Sequence, residues 1–192
     1  FDWNDDGIYD ESGLTGDATH DYGVAGTYTL RIRGTFPQIS FSWFNDPHKL
    51  LDVNQWGDNP WASMALSFLD CQNLNITATD LPNLSNVTDM SFMFFSCYIL
   101  NGPSNIGDWD ISNVENISGM FFNCLAFNQP IENWNTAKVT NMSNLFAAAI
   151  AFDLALGGTR PGLDQWRALM TSPALWPLVT FISFLSGPWS EE

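Results

Sequence analysis

One phrase is written three times in this chain. Asn86-Val87-Thr88-Asp89-Met90-Ser91-Phe92-Met93-Phe94, Asn113-Val114-Glu115-Asn116-Ile117-Ser118-Gly119-Met120-Phe121 and Lys138-Val139-Thr140-Asn141-Met142-Ser143-Asn144-Leu145-Phe146 align without a gap. Their valines stand 27 and then 25 residues apart, and a degenerate earlier copy begins at Ser63-Met64 and runs through Phe68 and Cys71. A unit of this length cannot bury its own apolar face, so successive units must stack, and that limits the fold more than any other feature.

Within each copy the apolar residues fall at i, i+3, i+4 and i+7: Met90, Met93, Phe94 and Cys97; Ile117, Met120, Phe121 and Cys124; Met142, Leu145, Phe146 and Ala149. That spacing predicts a short amphipathic helix per repeat. Ser63, Asp89, Asn116 and Asn141 precede the stripes, and their side-chain oxygens suit helix N-caps. Beyond each stripe come Leu74-Asn75, Leu100-Asn101, Phe127-Asn128 and Phe152-Asp153, where a polar side chain would hold the backbone as it turns. The following segments, with Ile106 and Trp109 or Ile131 and Trp134, read as a short strand or an extended turn.

The phrases Ser85–Ser91, Ala126–Thr136 and Trp109-Asp110-Ile111-Ser112 resemble the BspA-type leucine-rich-repeat surface proteins, the BspA-like or DUF285 repeats, over roughly residues 50–153. The resemblance implies a right-handed α/β solenoid in a secreted or microbial cell-surface protein, of a kind described as an adhesin. It brings no catalytic residues. The fold expected is therefore α/β: a right-handed leucine-rich-repeat-like solenoid of short helices and short strands with an N-terminal β cap. Its domains would be a cap over residues 1–45, about four repeats over 46–153, and a divergent C-terminal cap over 154–192.

The cap carries the sequence's one recognisable ligand pattern. Asp2, Asn4 and Asp6 place oxygens at alternate positions, Gly7 permits a sharp turn, and Asp10 follows. These are the candidate metal ligands, and calcium is the cofactor they suggest, because a hard cation takes six to eight oxygens from a loop that bends around it. The pattern departs where a bidentate Glu belongs, since Gly13 stands there and Glu11 lies two residues early. The plainer alternative is an Asp/Asn/Gly turn joining two strands. Downstream, the phrase from His20 to Ile32 resembles the second half of PKD-like β-sandwich modules. Independently, Tyr28, Leu30 and Ile32 alternate with polar residues as a half-buried strand, and Ile39, Phe41 and Trp43 form a second alternation.

With 192 residues, 45% hydrophobic and 15% aromatic, the chain can bury a substantial core. Its formal charge is −15, and no Lys or Arg occurs between Lys49 and Lys138. Nucleic acid and anionic lipid are repelled by such a chain. No secretory leader or membrane span is evident, although the chain begins at Phe1, as a processed chain or a piece of a longer one would. The apolar run Ala174–Leu185 contains Pro177 and is too short to span a bilayer. It is expected to fold back over the last repeat, the alternative being a contact with a neighbouring chain.

Cys71, Cys97 and Cys124 share one repeat position, taken by Ala149 in the next copy, so a small, buried, apolar residue is what the position asks for. His20 and His48 sit in no nucleophile or metal motif, and the plentiful carboxylates show no spacing that pairs them. Asn-x-Ser/Thr triplets at Asn75, Asn83, Asn86, Asn116 and Asn141 come mostly from the repeat phrase itself. The function expected is a non-catalytic extracellular or cell-surface recognition or adhesion module. Its partner would be a protein or glycan held on the repeated face, with exposed aromatics as the candidate contacts. The alternative is a structural subunit assembling with copies of itself into a filament or surface layer, and a weaker rival is a polysaccharide-active enzyme.

Overall fold

The computed structural model describes residues 1–41 and 47–151. The chain divides into two compact units, Phe1–Thr35 and Phe36–Glu192. The expectations for Trp43, Phe152, Asp153 and the C-terminal cap over 154–192 lie outside the described residues.

None of the expected repeat helices forms. Residues 65–70, 91–96, 118–123 and 143–148 are continuous turns. The regular elements among the described residues are two single 3-10 turns, Pro47–Lys49 and Ile106–Asp108, and two strands, β1 (Asp52–Val53) and β2 (Asn75–Ile76). β1 and β2 pair in parallel, with Asp52 opposite Asn75 and Val53 opposite Ile76. The expected helix-and-strand solenoid is therefore overturned. So is the β cap, because residues 1–35 contain a single bridge, Asp2 to Arg31, and no strand.

Backbone accounting shows what replaces the helix. In the second copy the amides of Met90, Phe92, Phe94 and Ser96 donate to the carbonyls of Asn116, Ser118, Met120 and Phe122 in the next copy, at 2.9–3.0 Å. The intervening amides of Met93, Phe95 and Cys97 close local turns onto Met90, Phe92 and Phe94. The one amide left over, that of Ser91, donates to Asp89 Oδ1 at 2.8 Å. Every N–H from 90 to 97 is thus satisfied, half of them by a neighbour some 26 residues away. The copies at 64–71 and 117–124 repeat the pattern, with Ser63 and Asn116 supplying the side-chain acceptor.

The first and last local turns of each copy have their third residue in the left-handed region: Leu66 and Asp70, Phe92 and Ser96, Gly119 and Asn123, Asn144 and Ala148, with φ between 54° and 62°. A helix needs φ near −63° throughout, so a left-handed residue at every fourth position excludes one. The apolar stripe is nevertheless buried in the two middle copies, and in the last copy Leu145 and Ala149 are buried while Met142 and Phe146 are half-buried. Met90, Met93, Phe94 and Cys97, and Ile117, Met120, Phe121 and Cys124, are all fully inaccessible. Turns of this kind bring i, i+3, i+4 and i+7 to one side much as a helix does.

The core follows from the stacking. Phe68, Phe94, Phe121 and Phe146 form a column of rings with centroids 5.6–5.9 Å apart and interplanar angles of 20° or less. At about 1.5–3 kcal/mol for each fully buried side chain of this size, such columns supply the drive for copies to associate. Gly107 packs so closely on the following copy that a Cβ there would stand 2.7 Å from the Pro130 carbonyl oxygen. On the opposite side of each copy, Thr88 O accepts the amides of Glu115 and Asn116, and Glu115 O those of Thr140 and Asn141. Pro37 O accepts Ala62 and Ser63 in the same way, so residues 36–41 extend the repeat pairing, where the sequence suggested part of the cap.

Of the two expectations for the segments after each turn region, a short strand or an extended turn, no strand forms around Ile106 and Trp109 or Ile131 and Trp134. Ile106 to Asp108 is a 3-10 turn, and Ile131 and Trp134 are buried in irregular chain. One polar position there works across copies: Asn101 Oδ1 accepts the Asn128 amide at 2.9 Å.

Candidate interaction surface

Three of the four candidate metal ligands come together, but around a backbone amide. The Asp6 N–H faces both Asp2 Oδ1 and Asn4 Oδ1 at 3.2 Å, Gly7 N–H donates to Asp2 Oδ2 at 2.9 Å, and Ile8 N–H to Asp6 Oδ1 at 2.8 Å. Asp10 accepts a different amide, its Oδ2 taking the Trp3 N–H at 2.9 Å. Asp2 is fully buried. Burial alone would raise its pKa, yet the amides of Gly7 and Asp6, aided by those of Asn4 and Asp5, outweigh it and hold the carboxyl below its ordinary value. The pattern of alternating oxygens thus forms Asx turns on its own backbone. Among the described residues no three His, Cys, Asp or Glu side chains are grouped as a metal site.

The remaining chemistry-bearing side chains of residues 1–35 are also engaged. His20 stacks on Trp3 at 4.8 Å and meets the edge of Tyr22 at 4.6 Å. Tyr22 and Tyr28 stack at 3.9 Å, and a Cβ at Gly26 would stand 3.2 Å from the Tyr28 ring. Arg31 pairs with Asp5, and the Arg33 guanidinium lies 3.9 Å above the Tyr9 ring.

In the repeats, His48 Nε2 is 3.8 Å from Asp70 Oδ2. The three cysteines are free and buried. Burial pushes the thiols of Cys71 and Cys124 up to about 12 and that of Cys97 well above its ordinary value. Cys97 and Cys124 sit with Sγ 3.2 and 2.9 Å from the carbonyl oxygens of Phe68 and Phe94 in preceding copies. These are packing groups, and a neutral thiol is a poor nucleophile.

The outward positions differ from the core positions in kind. The third turn residue is Leu66, Phe92, Gly119 or Asn144 in successive copies, and three places further on stand Leu69, which is buried, then Phe95, Phe122 and Ala147. Leu66, Phe92, Leu125 and Ile150 are exposed. Every tryptophan among the described residues, by contrast, is buried: Trp3, Trp56, Trp61, Trp109 and Trp134. On the repeated face Phe92 is exposed and Phe95 and Phe122 are half-buried. A sequence signal for them existed, since Phe92 and Phe95 lie off the stripe of Met90, Met93, Phe94 and Cys97.

Comparison with known proteins adds one result. A family model described as a Mycoplasma protein of unknown function, DUF285, matches residues 62–161, just over half of the chain's 192 residues. No curated protein and no solved structure matches it. The matched span covers the repeats and leaves out residues 1–35, where the PKD-like phrase stands.

Proposed function

The chain belongs to the DUF285 family, and from that premise we propose that it is a surface-displayed repeat module that recognises a partner by binding, without catalysis. One observation carries the reading. A constant frame of core residues and backbone rungs presents outward positions that change from copy to copy, as in Leu66, Phe92, Gly119 and Asn144. Such a frame lets a binding face vary while the stack that supports it stays the same. The inaccessible thiols and the stacked His20 favour binding over nucleophilic or acid–base chemistry. No helix among the described residues is long and apolar enough to cross a membrane.

Two measurements test this. Antibodies against the chain are expected to label intact producing cells or their medium, and labelling only after lysis would overturn the surface placement. Beads coated with the full chain should adhere to a partner surface. Substitution at Leu66 and Phe92 should change that adhesion while circular dichroism shows the fold retained, whereas indifference to these positions would overturn recognition through this face.

A further inference from the structure

Phe92, Phe95 and Phe122 make one outward aromatic patch. The Phe92 and Phe95 rings meet edge to face at 5.9 Å, and Phe95 stacks on Phe122 at 4.8 Å with 14° between planes. Phe92 also covers Gly119 so closely that a Cβ there would collide with its ring. Phe92 is 36% exposed, an uncommon placement for a side chain that gains so much from burial.

What surrounds the patch selects its occupant. No charged residue occurs in 90–107 or 116–131. Near it stand acids: Asp70, whose amide is bonded to the Phe95 carbonyl at 2.7 Å, Asp89, whose carboxylate holds the Ser91 amide, and the exposed Glu115, whose amide is bonded to the carbonyl of Thr88 beside Asp89. No Lys or Arg occurs between Lys49 and Lys138; His48 faces Asp70 at 3.8 Å and Lys138 is bonded to Asn113, while among the described residues Asp89 and Glu115 make no ion pair. Sugar hydroxyls would need converging polar partners, but Asn116 Oδ1 already holds Ser118 and Asn123 Nδ2 already donates to Ser96. A second copy docked face to face would set Asp70, Asp89 and Glu115 against their own counterparts in a chain of formal charge −15.

Resting on the binding role given above, we propose that this patch is the docking surface for a protein segment that is apolar at its centre and rimmed with Lys or Arg. The phenylalanines take up the apolar centre, and the nearby acids steer and orient the basic rim.

The probes are an amphipathic peptide of leucine and lysine and its leucine–glutamate counterpart in the same order, titrated against the full chain by fluorescence anisotropy at low and physiological salt. The leucine–lysine peptide should bind at least about tenfold more tightly and weaken as salt rises. Phe92→Ser alone, and combined with Phe95→Ser and Phe122→Ser, should reduce binding by about tenfold or more while circular dichroism is retained. D89N with E115Q should lower the salt dependence; Asn already serves at the Asp89 position in the copies with Asn116 and Asn141. Unchanged binding by Phe92→Ser, equal binding of both peptides, or binding of neither would overturn the proposal. So would a concentration-dependent dimer in sedimentation that Phe92→Ser abolishes, since the occupant would then be another copy. Surface labelling of cells is independent of all these outcomes, so the docking proposal can fail while surface display stands.

Discussion

The Gly7 amide donates to the carboxylate of Asp2, five residues away, while the Phe94 amide donates to the carbonyl of Met120, in the next repeat. That contrast separates the two units. In residues 1–35, side chains from Asp2, Asn4, Asp6, Asp10 and Asp21 hold the backbone, and Asp2 and Trp3 are the only buried side chains. In the repeats, backbone holds backbone, one side-chain acceptor per copy fills the gap, and a continuous apolar core lies behind. A short stretch without a core keeps its shape through local polar bonds that compete with water, each worth about 0.5–1.5 kcal/mol net. A stack gains from every added copy.

The largest test of this contrast removes a ring from the column. Phe121→Ala should destabilise the repeats by about 3–5 kcal/mol, through lost burial and the cavity left between Phe94 and Phe146. Denaturant unfolding followed by circular dichroism measures it. A loss below about 1 kcal/mol would mean that the column is not what holds the copies together.

Gly119→Ala sharpens the comparison at a single position. Its φ of 60° disfavours any L side chain, and the new Cβ would collide with the Phe92 ring. A cost of about 1–2 kcal/mol is expected. Adding Phe92→Ala should recover the steric share and leave the backbone share, so a double-mutant cycle separates the two. Purely additive losses would count against the collision.

Gly119 also shows how far the sequence could be read. The buried set was legible, because a stripe at i, i+3, i+4 and i+7 is buried whether a helix or a run of turns carries it. The side chains of Asp89, Asn116 and Asn141 were correctly seen as acceptors for a nearby amide, but an Asx turn and a helix N-cap use the same atoms. What distinguishes the two backbones is the left-handed column, and it was only half written: Gly119, Asn123, Asn144 and Asp70 tolerate that region, whereas Leu66, Phe92, Ser96 and Ala148 give no hint of it. The rungs between copies were illegible for a stronger reason. A carbonyl 24–26 residues away satisfies an amide without marking the local sequence at all.

A smaller effect comes from the thiols. Cys97→Ala should cost on the order of 1 kcal/mol, since Ala149 already serves at that position. The pH dependence has a definite sign. In the unfolded chain a thiol ionises near about 8.5, whereas the folded thiols of Cys71 and Cys124 stay protonated up to about 12. Their contribution is complete below about pH 8.5 and is lost progressively as pH rises toward the folded value. The denaturation midpoint should fall between pH 8 and pH 10 by less in a variant with all three cysteines replaced by Ala. Equal falls would show that other groups govern the alkaline limb.

The smallest expected effect is that of calcium on residues 1–35. A calcium ion takes six to eight oxygens at about 2.3–2.6 Å. Here both oxygens of buried Asp2 accept amides, Asn4 and Asp6 each give an oxygen to the turn, and Asp10 is committed to Trp3. Binding would have to keep those bonds while adding the ion to the remaining lone pairs, or break them and lose what holds the loop. Melting curves in calcium and in chelator should therefore coincide. If calcium instead stabilises the protein, by about 2.7 kcal/mol at a hundredfold excess over Kd, and Asp10→Asn removes the gain, the loop rearranges around an ion. Residues 1–35 would then be held by a ligand, and their difference from the self-bonded repeats would be wider than the hydrogen bonds alone make it.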